Sequence, residues 1–201
     1  MLCGVDSSVV IAAMLASMHS SLLLWLLLAT GVFWCVGVYN RLMRMRAHGL
    51  DAFGSVEKLL ANLEQVVVRH LEAAGLAETA QSDGPTETPP AWLALQRQLV
   101  SAQAACKAVR TEPLCPQPMA ALKLEIEQVR NKWLYLRDGP ADLAGSPVSP
   151  EFQAQWDEST LRLQMARSAF NQIVERYNES LLEFPANMVA GIMGFRPAGV
   201  L

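Results

Sequence analysis

Charge is what the first forty residues lack: Asp6 is the only formally charged side chain there, and all sixteen Lys and Arg lie from Arg41 onward. Beyond that point basic and acidic residues are interspersed, and the chain carries a net charge of −3. No concentrated positive face is available to displace counterions, which excludes nucleic acid as a partner. The four cysteines, Cys3, Cys35, Cys106 and Cys115, show no CxxC spacing and no accompanying histidines, which removes zinc and a disulfide framework from consideration. Cys35 falls in an apolar run and Cys106 on a core-facing helical position, so both read as small hydrophobes. Cys3 follows only Met1 and Leu2, too little sequence for a lipidation signal. No P-loop, GxSxG, HExxH or GxGxxG occurs. Glu125 and Glu127, two apart, point in different directions on a helix and form no carboxylate pair. His70 projects onto an apolar stripe as a core histidine. No catalytic, cofactor-binding or metal-binding residue is therefore expected, and the chain does not read as an enzyme.

What the N-terminal part has instead is "SLLLWLLLATGVFWCVGV", residues 21 to 38, without a charge. As a helix it spans about 27 Å, close to the hydrocarbon thickness of a bilayer. A transmembrane helix over 21–39 follows. A cleaved signal peptide fits worse, because no basic region precedes it and the apolar stretch is too long. Residues 8 to 18 are apolar as well, so 1–20 reads either as an extracytoplasmic or interfacial segment, or as sequence ahead of a true start at Met14 or Met18. Arg41, Arg44 and Arg46 crowd the far flank, and the bias of basic residues toward the cytoplasm places 41–201 inside. Tyr39 stands at the interface beside them.

Three stretches rich in Gly, Pro, Asp or Ser, at 75–90, 111–118 and 137–150, divide the remainder into four helical blocks. The first carries Val56, Leu59, Leu60, Leu63, Val66 and Val67. The second carries Trp92, Leu95, Leu99, Ala102, Cys106 and Val109, and the third Met119, Leu122, Ile126, Val129, Trp133 and Leu136. The last carries Leu163, Ala166, Phe170, Ile173, Tyr177, Leu181 and Phe184. No strand signal competes. Four helices with one apolar stripe each bury those stripes against one another, and short connections favour antiparallel neighbours. The predicted fold is all-α: a transmembrane helix continuing into an antiparallel up-and-down four-helix bundle over 40–185. The stripe spacing would also serve a coiled coil between copies of the chain. Projected backwards from Val56, the same phase runs through Ala52, Gly49, Met45, Leu42, Val38 and Cys35 without a break at the membrane boundary. His48-Gly49 is its one weak point.

Near the C-terminus, Arg167, Phe170-Asn171, Tyr177-Asn178, Phe184-Pro185 and Gly194-Phe195 form a pattern that resembles the LemA family. Tyr39-Asn40-Arg41-Leu42 resembles the way that family leaves its membrane segment. The resemblance implies a single-pass bacterial inner-membrane protein with an antiparallel helical bundle and no established enzymatic activity. The family's Pro-Asn element is missing, replaced by "LLANLEQVVVRHL" at 59–71, and residues 137–148 read as an insertion. Asparagine is a mediocre helix former, so Asn171 and Asn178, one heptad apart, suggest lateral hydrogen bonds that fix register within the bundle, or a polar groove for a peptide or lipid headgroup. Tyr177 should bury its ring and keep its hydroxyl for a partner. Pro185 ends the last helix, and the apolar tail 186–201 either docks on the bundle or folds back to the membrane.

The function these features favour is a membrane-anchored interaction or scaffold protein that contacts membrane lipid, self-associates and binds a protein partner of unknown identity. The second reading is an accessory of membrane or envelope signalling that transmits state through the continuous first helix.

Overall fold

The computed structural model describes residues 7–73, 90–139 and 148–201. Cys3, Asp6, most of the 75–90 break and residues 140–147 of the 137–148 stretch lie outside them. Among the described residues the fold is all-α, with five helices: α1 (Ser7–Ala73), α2 (Pro90–Thr111), α3 (Pro116–Arg137), α4 (Pro150–Leu182) and α5 (Ala186–Met193).

Helix α1 runs 67 residues without interruption, about 100 Å at 1.5 Å per residue. Residues 8–18 are thus the start of this helix and not a separate element. The stretch from Leu22 to Phe33 presents its large apolar side chains outward, and α1 is, among the described residues, the one helix long and apolar enough to cross a membrane. It anchors the protein as a single span.

The apolar phase crosses the boundary as the sequence predicts. Leu42 is buried, Val38 and Met45 pack against the core, and Gly49 is covered by the Leu114 side chain. A Cβ at Gly49 would sit 3.7 Å from Leu114, an ordinary contact, so this glycine is a helical residue inside the packing and not a joint. Phe53 and Leu71 join the buried face as well.

Three of the helices start on proline, which has no N–H to leave unpaired in the first turn. The break at 111–118 is accordingly shorter than its composition suggests: Thr111 still belongs to α2, and Pro116 and Pro118 already belong to α3. The four-residue turn between them places Leu114 at φ 64°, a left-handed conformation uncommon for a branched side chain. At α4 the Ser149 hydroxyl accepts from the Phe152 N–H at 3.2 Å, with Glu151 in the positive first turn.

Contacts across the bundle fix the antiparallel order. Phe53 meets Phe170 (ring centroids 6.0 Å apart) and His70 meets Phe152 (4.3 Å), so α4 runs against α1. The Arg110 guanidinium donates to Glu57 at 2.7 Å and the Gln103 amide donates to Glu64, so α2 does too. Trp133 stacks on Trp156 at 4.5 Å and Arg167 faces Glu127 at 3.7 Å, which sets α3 against α4. The six stripe residues of α2 and the six of α3 named from the sequence are all buried. In α4, Val174 takes the core position next to Ile173, and Phe184 is 79% exposed rather than core-facing. The reason is that α4 stops at Leu182 and the chain turns through a cis Phe184-Pro185 bond into α5. The N-terminal part of α4 adds Phe152 and Trp156 to the core, two residues the stripe beginning at Leu163 leaves out.

Two buried clusters result. The membrane-proximal one joins Leu42, Phe53, Cys106, Met119, Phe170 and Tyr177 with the chain end. The distal one is dominated by Trp92, Trp133, Phe152 and Trp156.

Candidate functional site

The residues singled out from the sequence gather at the membrane-proximal end. Helix α4 descends toward the membrane, α5 follows, and Gly194 at φ 72° closes α5 so that the chain reverses. Phe195 then packs edge-on against Tyr39 of α1, ring centroids 5.7 Å apart. Two motif stretches more than 120 residues apart in sequence meet at that contact.

From Phe195 the chain climbs back along α4, and α4 holds it by its backbone. The Tyr177 hydroxyl donates to the Arg196 carbonyl at 3.1 Å. The Asn178 amide donates to the Ala198 carbonyl at 3.0 Å and its oxygen accepts from the Ala198 N–H at 2.8 Å. Asn171 repeats the pattern on Leu201, at 2.7 and 2.8 Å. On the opposite edge the Gly199 N–H donates to the Leu114 carbonyl at 3.0 Å. The spacing explains why asparagines one heptad apart suit this task. Seven helical residues rise about 10.5 Å, and three residues of near-extended chain cover about 10 Å. The two asparagines therefore meet tail residues three apart, Ala198 and Leu201, each offering one donor and one acceptor to a backbone that has one of each. The expectation of lateral bonds between helices is corrected here: the partner of both asparagines is the chain's own tail.

Burial completes the clasp. Ala198 and Leu201 are in the core, and a Cβ at Gly199 would lie 2.8 Å from the Met119 side chain and 2.9 Å from the Pro116 Cα, so only glycine fits there. Tyr177 is buried, which raises its pKa from the ordinary phenol value, with Arg46 pulling weakly the other way. The hydroxyl stays a protonated donor. Arg46, Glu112, Tyr177 and Arg196 border a cleft of about 320 Å³ beside it.

The remaining sequence-predicted residues lie as follows. Asn40, Arg41 and Arg44 are exposed on α1. Pro185 precedes α5, in the turn that leaves α4. Arg167 is set apart from the clasp, between α3 and α4, where one guanidinium nitrogen faces Glu127 and its Nε is buried without a hydrogen-bond partner. It borders a second cleft, of about 290 Å³, with Leu60 and Leu63 on its floor and Arg130, Arg137 and Asp157 along its rim. Cys106 is buried beside Glu57, its thiol pushed up to about 12 chiefly by desolvation, which makes it inert. Among the described residues no three His, Cys, Asp or Glu side chains come together in a way that could hold a metal ion.

Residues 93–201, more than half of the chain, match the LemA family. The chain belongs to the LemA family. No curated protein and no solved structure matches it. The LemA match takes in α3, α4, α5 and the whole clasp, and it begins after α1. The clasp from Leu114 to Leu201 lies wholly within the matched residues, and Gly199 and Leu114 are the members of that grip the sequence reading missed. The signal was present in one respect: two asparagines at heptad spacing on one helix face match the stride of an extended backbone. Nothing in the helical periodicity says which backbone.

Proposed function

We propose that this LemA-family protein is a non-catalytic scaffold that holds a helical bundle directly against a bilayer for a protein partner. The observation that carries the reading is the continuity of α1: the helix that spans the membrane is also a principal core helix of the bundle. With Leu42 already buried, no flexible tether separates the two. Chemistry at the site consists of neutral donors and acceptors paired with backbone, an arrangement that positions chain and moves no proton.

In this reading 1–20 is an extracytoplasmic or interfacial segment, 21–39 crosses a bacterial inner membrane, 40–185 forms the cytoplasmic bundle and 186–201 is the apolar tail that follows it. Arg41 and Arg44, exposed just past the span, support that orientation, since they can reach headgroup phosphates while their stems lie along α1. Tyr39 precedes them and Arg46 follows, about 10 Å apart along α1. Asn40 belongs to the same stretch, and Arg167, Asn171, Tyr177, Asn178 and Pro185 are proposed as the residues that shape the partner-facing bundle. Self-association of the scaffold is part of the proposal, and light scattering on the detergent-extracted protein tests it: a strictly monomeric mass would remove it.

Replacing residues 22–34 with an unrelated apolar sequence of equal length tests the function itself. A scaffold keeps the neighbours captured by proximity labelling from the C-terminus. Loss of those neighbours from a folded, inserted protein would overturn the scaffold reading and favour transmission of membrane state through α1, the reading that the unbroken helix also supports.

A further inference from the structure

We infer that α5 is a second membrane contact, seated in the cytoplasm-facing leaflet beside the span, with lipid acyl chains and their glycerol backbone as its occupant. This rests on the single-pass anchoring of α1 and on the orientation proposed above, and it adds a second point of attachment that composition alone leaves open.

The stretch from Phe184 to Phe195 contains no charged residue. Only Val189 and Ala190 of α5 face inward. Met188, Ile192 and Met193 point out, Ile192 at 80% exposure, and Leu182 and Phe184, on either side of Glu183, are exposed just ahead of α5. Five large hydrophobic side chains crowded around a two-turn helix form a patch that an aqueous surface does not favour. The patch is continuous with the membrane-facing surface of α1. Met193 borders a groove whose other walls are Leu28, Val32, Cys35, Val36 and Tyr39, all on the span. Leu28 lies eleven residues before Tyr39, about 16 Å along the helix, so the groove that Met193 borders extends below the level at which Tyr39 and the arginines mark the surface. An amphipathic helix lying in the interface buries its apolar face about 5–10 Å deep, which matches this placement.

The clasp gives the arrangement its purpose. Helix α5 has one end fixed by α4 and the other by the strand that Asn178 and Asn171 hold. The bundle can therefore drive an eight-residue apolar helix into the leaflet, where a free helix of that length would not stay folded.

Site-directed spin labels on the full-length protein in nanodiscs test this. Met188→Cys and Ile192→Cys are made in a background with Cys3, Cys35 and Cys115 changed to alanine, since buried Cys106 resists labelling. Phe33→Cys serves as the lipid reference and Leu161→Cys, exposed on the distal half of α4, as the aqueous one. Labels at 188 and 192 should give an oxygen-to-nickel accessibility ratio close to that at Phe33 and about tenfold that at Leu161. A ratio like that of Leu161 would overturn the proposal. Low accessibility to both reagents, with disulfide-linked dimers through residue 192, would assign the patch to a second copy of the chain and overturn it as well. Should the alanine background fail to fold, a benzophenone amino acid at position 192 of the unaltered chain decides the matter: lipid adducts are expected, and adducts to protein alone would reject the idea.

Discussion

The two ends of the bundle are held together by different physics. The distal end is a pile of aromatic rings: Trp92, Trp133, Phe152 and Trp156 pack at centroid distances from 4.5 to 6.2 Å, with His70 stacked among them. The proximal end combines a core in which Phe53, Phe170 and Tyr177 sit among aliphatic side chains with paired hydrogen bonds to the backbone of the tail. Ring packing tolerates any sequence of similar volume and shape. The asparagine clasp depends on one donor and one acceptor at fixed spacing. Asn171, Tyr177 and Asn178 belong to the second kind, so they order the tail by hydrogen-bond geometry, while the distal core depends on ring packing.

Deleting a distal ring should give the largest effect. Trp156→Ala is expected to cost about 3–5 kcal/mol, lowering stability of the whole bundle as read by denaturant unfolding in detergent, without selective release of residues 195–201. At the proximal end Asn178→Ala leaves the Ala198 N–H and carbonyl unpaired, at about 1–3 kcal/mol. Its loss should be local: hydrogen exchange at 198–201 rises while the distal helices keep their protection. If both variants loosen the molecule uniformly, the ends are one cooperative unit and the distinction fails. Gly199→Ala sharpens the point from the opposite edge, because its Cβ must push against Met119 and Pro116. A cost of about 1–2 kcal/mol with the same tail-specific exchange is expected.

The smallest effect separates the ends by pH. Burial holds the His70 pKa below its usual value of 6.5. A base with a depressed pKa takes up its proton more readily in the unfolded chain. Stability from this residue is thus full above about pH 6.5 and declines as pH falls toward the folded-state value. Melting temperature should fall more between pH 7 and 5 in the native protein than in His70→Leu, with tail exchange unchanged in sequence of release.

Much of this architecture is legible in the residues because helix burial is periodic. The stripes of α2 and α3, and the phase carried from Val56 back to Val38, need only the 3.6-residue repeat. What escaped depends on events that periodicity does not encode. Phe184 continues the α4 stripe by count, yet the helix ends two residues earlier. Asn171 and Asn178 announce a polar task, and their partners are backbone atoms 20 and 30 residues on, which carry no side-chain signature. Leu114 looks like loop residue, and its left-handed turn makes it a bridge between Gly49 and Gly199.

An unbroken α1 also makes the molecule a lever. Bilayers of different thickness change the tilt of a single span, and from Tyr39 the helix extends about 51 Å to Ala73. A tilt of about 10° at the surface sweeps its far end through about 9 Å, with α2 and α4 carried along because they pack on the same helix. A span that tilts with membrane thickness would displace the distal aromatic end in the space beside the membrane.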